Sequence, residues 1–234
     1  MKYMILVIAL FLICPSRALG AVGCTLSNPA EDLKYLYPEM TNYKEELKNY
    51  ETLADGRKLY DDLKERLGSD LDPVYETFET PYTIYQIFKG ETLIGLVHGV
   101  NVPGKGGVIQ VFLALDPSTA EIRNFFYQRL ESRIAGDLRR KAFRQQFSGL
   151  TLADFYKHEF YRVADPGSKL DKLAGIKLAE NGAPSSEDAV FDYQASIRGI
   201  RKNLILVDQF WFKHRFEPFF ERARQALKDK STER

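Results

Sequence analysis

DAVFDYQASIRGI, residues 188–200, carries apolar side chains at helical spacing, and the pattern continues beyond its end. Apolar positions 3, 4, 3 and 4 residues apart lie on one face of an α-helix. They are Val190, Tyr193, Ile197, Ile200 and Leu204. Ser185, followed three residues later by Asp188, resembles the capping box that begins many helices. The sequence therefore predicts one continuous helix through this stretch.

Upstream of this helix, runs of β-branched and aromatic residues alternate with turn residues. Four such runs predict an antiparallel meander. They are Thr83–Phe88, Thr92–Val100, Val108–Leu115 and Ile122–Leu130. An amphipathic helix is predicted before them, from Leu59, Tyr60, Leu63 and Leu67 at helical spacing, with Gly68 as its stop. The expected fold class is α+β, a twisted antiparallel sheet flanked by helices.

Further motifs follow one another in a fixed order. Glycine-rich strands come first, then FRQQFSG at residues 143–149, the helical stretch at 188–200 and FEPFF at residues 216–220. In order and spacing they resemble the extracytoplasmic FMN-binding domain family. That family includes the C subunit of the sodium-translocating NADH:quinone oxidoreductase and the G subunit of the Rnf complex. The resemblance covers residues 32–226 and implies the family's sheet, flavin mononucleotide (FMN) as cofactor, and electron transfer outside the cytoplasm.

The resemblance breaks down where the family attaches its flavin. There the segment reads roughly Asp-Ala-Val-Ser-Gly-Ala-Thr, and the flavin phosphate is esterified to the Thr. Phe191, Asp192, Tyr193 and Gln194 replace the last four of these residues. A glutamine amide has no hydroxyl that could form a phosphoester, so covalent attachment at Gln194 is not expected. Ser196 keeps a hydroxyl two positions later.

The other flavin contacts that the resemblance implies lie in the sheet and in the turn after it. Gly95, Gly106 and Gly107 match family glycines that flavin approaches closely, and glycine inside a strand often marks such an approach. Glu131 and Ser132 match the start of the turn beside the isoalloxazine ring, although Pro-Gly is missing from that turn. The resemblance thus implies noncovalent FMN bound by Gly95, Gly106, Gly107, Glu131, Ser132, Gln194 and Ser196.

The N-terminus predicts a signal peptide over residues 1–23. Lys2 gives it a positive end, and the apolar run Met4–Ile13 is shorter than the roughly 20 residues that span a bilayer. Ala21-Val22-Gly23-Cys24 resembles a bacterial lipobox, in which Cys24 is acylated. Cleavage after Ala18-Leu19-Gly20, leaving Cys24 as a free thiol, is the alternative.

Lipidation at Cys24 implies a location in the bacterial cell envelope, anchored in a membrane on its periplasmic side. Residues 24–45 are then expected to form a lipidated N-terminus and tether, and residues 46–234 the FMN-binding-like domain. No disulfide is expected, because Cys14 leaves with the signal peptide and Cys24 carries lipid.

Charge and motif content disfavour several other functions. The chain has 33 basic and 32 acidic side chains, so its charge offers no basis for binding nucleic acid. His98, His158 and His214 lack the spacing of metal ligands. The glycine cluster at residues 104–107 has neither the P-loop nor the dinucleotide-binding spacing.

Two functions remain open from sequence. The first is a membrane-tethered flavoprotein that relays electrons, within a membrane redox complex, and holds FMN without an ester bond. The second is a flavin-free binding or assembly module of an envelope complex. The altered attachment segment argues against covalent flavin and in that respect favours the flavin-free module. The sheet glycines leave noncovalent flavin binding open.

Overall fold

The computed structural model of the protein describes residues 24–157, 176, 178 and 186–232, and within them the expected α+β class is confirmed. The predicted signal peptide, His158 and Ser185 lie outside these residues. The helices are α1 (Pro29–Leu36), α2 (Gly56–Leu67), α3 (Ala135–Arg139), α4 (Lys141–Gln145), α5 (Leu152–Lys157), α6 (Glu187–Phe210) and α7 (Glu217–Thr232). The strands are β1 (Asn42–Lys48), β2 (Tyr82–Lys89), β3 (Thr92–Pro103), β4 (Val108–Leu115) and β5 (Ile122–Leu130).

The five strands form one antiparallel sheet in the order β1-β2-β3-β4-β5, so neighbours in the chain are neighbours in space. The four predicted strands are present within a few residues of their expected ends. Sequence patterns do not predict β1, because its residues NYKEELK read as a polar segment. It is an edge strand, where charged side chains are common, and it is held by pairing with β2. The expected domain start at residue 46 falls inside β1.

Both faces of the sheet are covered. α6 packs against β3 and β4 on one face. The buried apolar residues that these two strands place on that face are Leu96, Val100, Val102, Ile109, Val111, Leu113 and Leu115. The other face forms a second cluster with α1 and the residues after it, comprising Leu33, Leu36, Tyr37, Tyr85, Ile87, Val97, Phe112 and Ala114. Burial on both faces accounts for the nearly continuous apolar sequences of β3 and β4.

α6 is the central helix, and its continuity through residues 188–204 confirms the prediction from its apolar pattern. Its first turn is stabilised by Ser186, whose side chain accepts a hydrogen bond from the Ala189 N–H at 3.2 Å. Gly199 lets the helix lie close to the sheet, because a Cβ there would be 2.8 Å from Val111 Cγ1. The helix therefore crosses the sheet without a bend at residues 191–194.

The segment expected to be a tether is folded onto the sheet. The Leu26 N–H donates to the Tyr85 hydroxyl at 2.9 Å, and the Ser27 N–H donates to Gln128 Oε1 at 2.8 Å. Farther along, the Tyr37 hydroxyl donates to the Leu115 carbonyl at 2.7 Å. The described chain is thus bound to the sheet from its first residues onward.

Candidate functional site

Four of the predicted flavin-contacting residues meet at one end of the sheet, around the carboxylate of Asp192. Its Oδ1 accepts a hydrogen bond from the Lys105 N–H at 2.7 Å, and its Oδ2 accepts one from the Ser132 hydroxyl at 2.5 Å. Asp192 itself is only 1 % exposed. The side chain thus joins α6, the β3–β4 loop and the turn after β5.

Gly106 and Gly107 lie in this loop, against Glu131. A Cβ on Gly106 would be 2.5 Å from the Glu131 carbonyl oxygen, and one on Gly107 would collide with the Glu131 carboxylate. Gly107 also has a φ of 143°, which side chains rarely adopt. Arg129 Nε holds the same carboxylate at 2.6 Å. The space beside these two glycines is therefore filled by the protein's own glutamate.

Gly95 lies apart from the others, near the start of β3 and on the opposite face of the sheet from α6. A Cβ at this position would overlap the ring of Tyr37. That ring is fixed by its hydroxyl, which donates to the Leu115 carbonyl. A glycine is thus required at position 95 because the Tyr37 ring packs against it. Gly95 does not lie near the β3–β4 loop that contains Gly106 and Gly107.

Gln194 and Ser196 are buried within α6, with 4 % and 0 % exposure. The Ser196 hydroxyl donates to the carbonyl of Asp192, one turn earlier, at 3.0 Å. Backbone N–H groups inside an α-helix are already bonded to the carbonyls four residues before them. This part of the chain therefore presents no turn with free amides for a phosphate.

The seven predicted residues, as placed, do not fit FMN. The glycine spaces hold Tyr37 and Glu131, and the family's phosphate-binding turn is replaced by helix. Asp192 is two residues before Gln194, the position that matches the family's phosphate-bearing Thr, and its carboxylate would repel a phosphate there. Noncovalent FMN binding stays a prediction that no contact among these residues supports.

The second half of α6 carries a set of buried polar residues that sequence reasoning missed. Lys202 Nζ lies 2.5 Å from Glu76 Oε1 and donates to the Asn101 carbonyl at 2.9 Å. Burial raises the pKa of the Glu76 carboxyl, although the neighbouring Lys202 opposes this effect. The pair ties α6 to the loop before β2 and to the unpaired edge at the end of β3.

Two arginines extend this buried set, namely Arg201 next to Lys202 on α6 and Arg66 on α2. Arg66 Nη2 of α2 donates to Asp208 Oδ2 at 2.6 Å. Arg201 is paired with Asp70, and burial raises the pKa of the Asp70 carboxyl to about 6. Removing ions from water is costly, and buried pairs of this kind hold elements in register more than they add stability.

His98 of β3 is also buried and bonds to Asn203 of α6, so its Nδ1 is not available to a metal ion in this arrangement. Its Nδ1 lies 2.7 Å from Asn203 Oδ1, and Asn203 Nδ2 donates to the Val111 carbonyl at 3.1 Å. Burial lowers the pKa of His98 to about 4, so the ring is neutral and its Nδ1–H is the donor. The described residues contain no group of three His, Cys, Asp or Glu side chains able to hold a metal ion.

Cys24, the predicted lipidation site, is buried on the sheet. Its Sγ donates to Asn101 Oδ1 at 3.1 Å and accepts a hydrogen bond from Gln110 Nε2 at 3.1 Å. Burial raises the pKa of this thiol to about 12, so it is protonated at neutral pH. Because Cys24 is only 5 % exposed, an acyl group on its Sγ would have no room at this position. Lipidation stays a prediction, and it requires the Cys24 side chain to move away from Asn101 and Gln110.

No model of a known protein family matches this sequence, and no curated protein matches it. The resemblance to FMN-binding domains therefore depends on the motifs quoted above. Within the ranges that the structure covers, none of the helices is both long enough and apolar enough to cross a bilayer.

One signal in the sequence could have revealed the buried polar set. Arg201 and Asp208 are seven residues apart, which places them on one face of α6. They flank an apolar run that begins at Leu204, where charged residues on an otherwise buried helix need partners. The partners Arg66 and Asp70 lie more than a hundred residues away, and nothing in the local sequence points to them.

Proposed function

We propose that this protein is a flavin-free binding or assembly module of a bacterial cell-envelope complex, tethered to the membrane through Cys24. The observation that carries the proposal is the continuous helix at residues 191–196, with Asp192 bonded inward to Lys105 and Ser132. In the FMN-binding domains that the chain resembles, this segment turns to receive a phosphate. Here the same positions stabilise the fold.

Several reactive side chains among the described residues are taken up by the fold, which supports binding more than catalysis. Lipidated Cys24 has no free thiol left to act as a nucleophile. His98 is neutral, fully buried and bonded to Asn203, so it does not meet a substrate. The buried carboxylates Asp70, Glu76 and Asp208 are each paired with a basic residue.

The contacts of the N-terminal segment give the tether a specific consequence. Leu26 and Ser27 are bonded to the sheet directly after Cys24. Acyl chains on Cys24 would therefore hold the domain against the bilayer surface with almost no spacer. A partner in the same membrane would meet the end of the sheet that carries Asn101 and Gln110.

The flavin-free state is tested by the absorption spectrum of the protein purified from its native host, before and after acid precipitation. We expect no flavin absorbance, and no uptake of added FMN. Flavin that acid releases would show noncovalent binding, and flavin that stays with the precipitate would show covalent attachment. Either result contradicts the proposal.

The tether is tested separately, by expressing the full chain with its signal peptide in a bacterium and separating membranes from the periplasmic contents. We expect the wild type in the membrane fraction and Cys24→Ser outside it. A wild type found in the periplasmic fraction, or a Cys24→Ser variant that stays with the membranes, contradicts anchoring through Cys24.

A further inference from the structure

The first described residues of the chain lie across the face of the sheet opposite α6. Cys24 and Leu26 are buried, with 5 % and 6 % exposure, whereas Thr25 and Ser27 are exposed. Alternation with a period of two is the pattern of an extended chain that lies along a surface. Cys24 and Leu26 belong to the apolar cluster of that face. Residues 24–27 therefore occupy a groove that takes one side chain at position 24 and another at position 26.

Three hydrogen bonds hold the main chain of this N-terminal segment, residues 24–27. The Leu26 N–H donates to the Tyr85 hydroxyl at 2.9 Å. The Ser27 N–H donates to Gln128 Oε1 at 2.8 Å, and Gln128 Nε2 donates to the Thr25 carbonyl at 3.1 Å. Bonds to the main chain do not depend on which side chains a segment carries, so another extended segment can make the same three bonds.

Under the segment, three amide side chains form a row across neighbouring strands. They belong to Asn101 of β3, Gln110 of β4 and Gln128 of β5, and Gln128 Nε2 donates to Gln110 Oε1 at 2.8 Å. An amide both donates and accepts hydrogen bonds, so the row suits a main chain that lies over it. The Cys24 Sγ bonds Asn101 and Gln110, each at 3.1 Å, but a thiol is a weak partner. These two amides therefore lose little when Cys24 leaves.

Lipidation of Cys24 would empty the groove. The acylated side chain does not fit at a position that is only 5 % exposed, and Leu26 is two residues from it in the chain. Acyl chains in the bilayer would draw the N-terminal segment away from Tyr85 and Gln128. The apolar space that Leu26 fills would then be open to water. An open apolar space favours a new occupant, because filling it removes apolar surface from water.

We propose that the emptied groove binds an extended segment of a partner protein, which carries a small side chain and, two residues later, leucine or an apolar side chain of similar size. This inference rests on the proposed tether. The chain's own Cys24 and Leu26 supply the pattern, since they fill the two spaces. Bonds from Tyr85 and Gln128 to the main chain provide affinity, and the two spaces provide specificity. Before lipidation, residues 24–27 keep the groove closed.

The probe is a fluorescent synthetic peptide of residues 24–28 that carries Cys24→Ala, and fluorescence anisotropy measures its binding. The full chain is expressed with its signal peptide and purified from membranes in detergent, and its intact mass shows whether lipid is attached. We expect the lipidated chain to bind this probe, and to bind a probe that also carries Leu26→Asp at least about tenfold more weakly. The unlipidated Cys24→Ser chain should also bind the first probe at least about tenfold more weakly, because its own N-terminal segment competes at an effective concentration on the order of millimolar.

Gln128→Ala tests the groove in the lipidated chain. The Gln128 side chain is partly exposed, so we expect the variant to fold. It should bind the probe at least about fivefold more weakly, because two bonds to the main chain are lost. Gln86→Ala is the matched control, a glutamine of β2 that bonds Glu46 at 3.0 Å and lies on the other face of the sheet from its neighbour Tyr85. The control should bind the probe as tightly as the wild type.

The intact mass separates failure of the groove from failure of the tether. A lipidated wild type that does not bind the probe, or a Gln128→Ala variant that binds it as tightly as the wild type, overturns the groove and leaves the tether standing. A wild type without lipid contradicts the tether and this inference together. Equal binding by Cys24→Ser and the lipidated wild type also overturns the inference, because residues 24–27 would then not close the groove.

Discussion

The two halves of α6 use their polar residues in different ways. In the first half, Asp192 and Ser196 make bonds to a nearby loop and to the helix itself. In the second half, Arg201, Lys202 and Asp208 make ion pairs with segments far away in the chain. The first half is where resemblance to a flavin-binding family directs attention, and the second is where most of the buried charge lies.

Under the proposed loss of the flavin site, this difference explains how the segment can change while the fold is kept. A helix needs only an apolar face and good ends, which the first half supplies with Ser186 and its apolar positions. The tertiary position of the helix is then fixed by the second half, through groups that a phosphate-binding turn does not involve. The sheet and α6 can thus persist without the turn.

The largest effect on stability is expected from Asp208→Ala, which removes a buried ion pair of the second half of α6. Removing this carboxylate leaves the buried Arg66 without its nearest partner, with Asp62 at 3.7 Å as the remaining carboxylate, and such losses cost about 3–5 kcal/mol. Urea unfolding should show this loss in the free energy of unfolding. The control Glu221→Gln removes an exposed partner of Arg224 and should change stability by less than about 1 kcal/mol. If the two variants lose equal stability, the buried ion pair of the second half of α6 has no special importance, and the account of the two halves is contradicted.

A nearly equal effect is expected from His98, which is buried beside Asn203 of the second half and is kept neutral by that burial. Its folded pKa of about 4 lies below the unfolded value near 6.5, so the unfolded state binds the proton first as pH falls. The wild type should therefore lose up to about 3 kcal/mol between pH 6.5 and pH 4, relative to His98→Gln.

The comparison with His98→Gln is necessary because Asp70 acts in the opposite direction. The pKa of its carboxyl is raised to about 6, so its contribution to stability increases as pH falls from 6 toward 4 in both proteins. Unfolding by urea at several pH values gives the difference between the two proteins. A difference that does not change with pH would mean that His98 is not buried in its neutral form.

A smaller effect is expected from Asp192→Ala in the first half. The variant loses two hydrogen bonds to a carboxylate, but Lys105 N and the Ser132 hydroxyl are near the surface and can bond to water. We expect a loss of about 1–3 kcal/mol in the free energy of unfolding. Asp188→Ala is the matched control, because its only described ion pair, to Arg133, is exposed and 3.7 Å long. If the control is as damaging as Asp192→Ala, the inward bonds of Asp192 are unimportant.

The smallest effect is expected from Ser196→Ala, which removes a bond between two residues of α6 and a hydroxyl beside that of Tyr127. We expect a loss of about 1 kcal/mol or less, since back-bonding of this kind adds little to a helix and a single neutral hydrogen bond contributes about 1 kcal/mol. Asn203→Ala, seven residues later, should cost more, because it leaves His98 and the Val111 carbonyl without a partner. Chemical unfolding of both variants gives the comparison, and a larger loss for Ser196→Ala would reverse it.

Most of the sheet and the course of α6 could be predicted from local sequence patterns, because apolar runs between turn residues mark buried strands and helical spacing reports which face of a helix is buried. β1 could not, since its residues are charged and its position depends on the partner β2. The reason for a glycine at position 95 could not be predicted from the sequence either. The ring that occupies the space beside Gly95 belongs to Tyr37, a residue from the predicted tether.

The candidate flavin site was inferred from residue types at matching positions, and residue types alone do not report what fills a space. Glu131 is present where the family has a glutamate, yet its carboxylate occupies the space beside Gly107. The arginines at the junction of α2, α5 and α6 were missed for the opposite reason. Their partners are distant in sequence, and only the fold brings them together.

Amide hydrogen exchange at residues 191–196 tests the central claim most directly, because it reports whether this segment is helix or turn. We predict protection as strong as in the rest of α6, unchanged when FMN is added. Rapid exchange at these amides that slows on addition of FMN would contradict the account, since it would show an open segment that closes around the flavin.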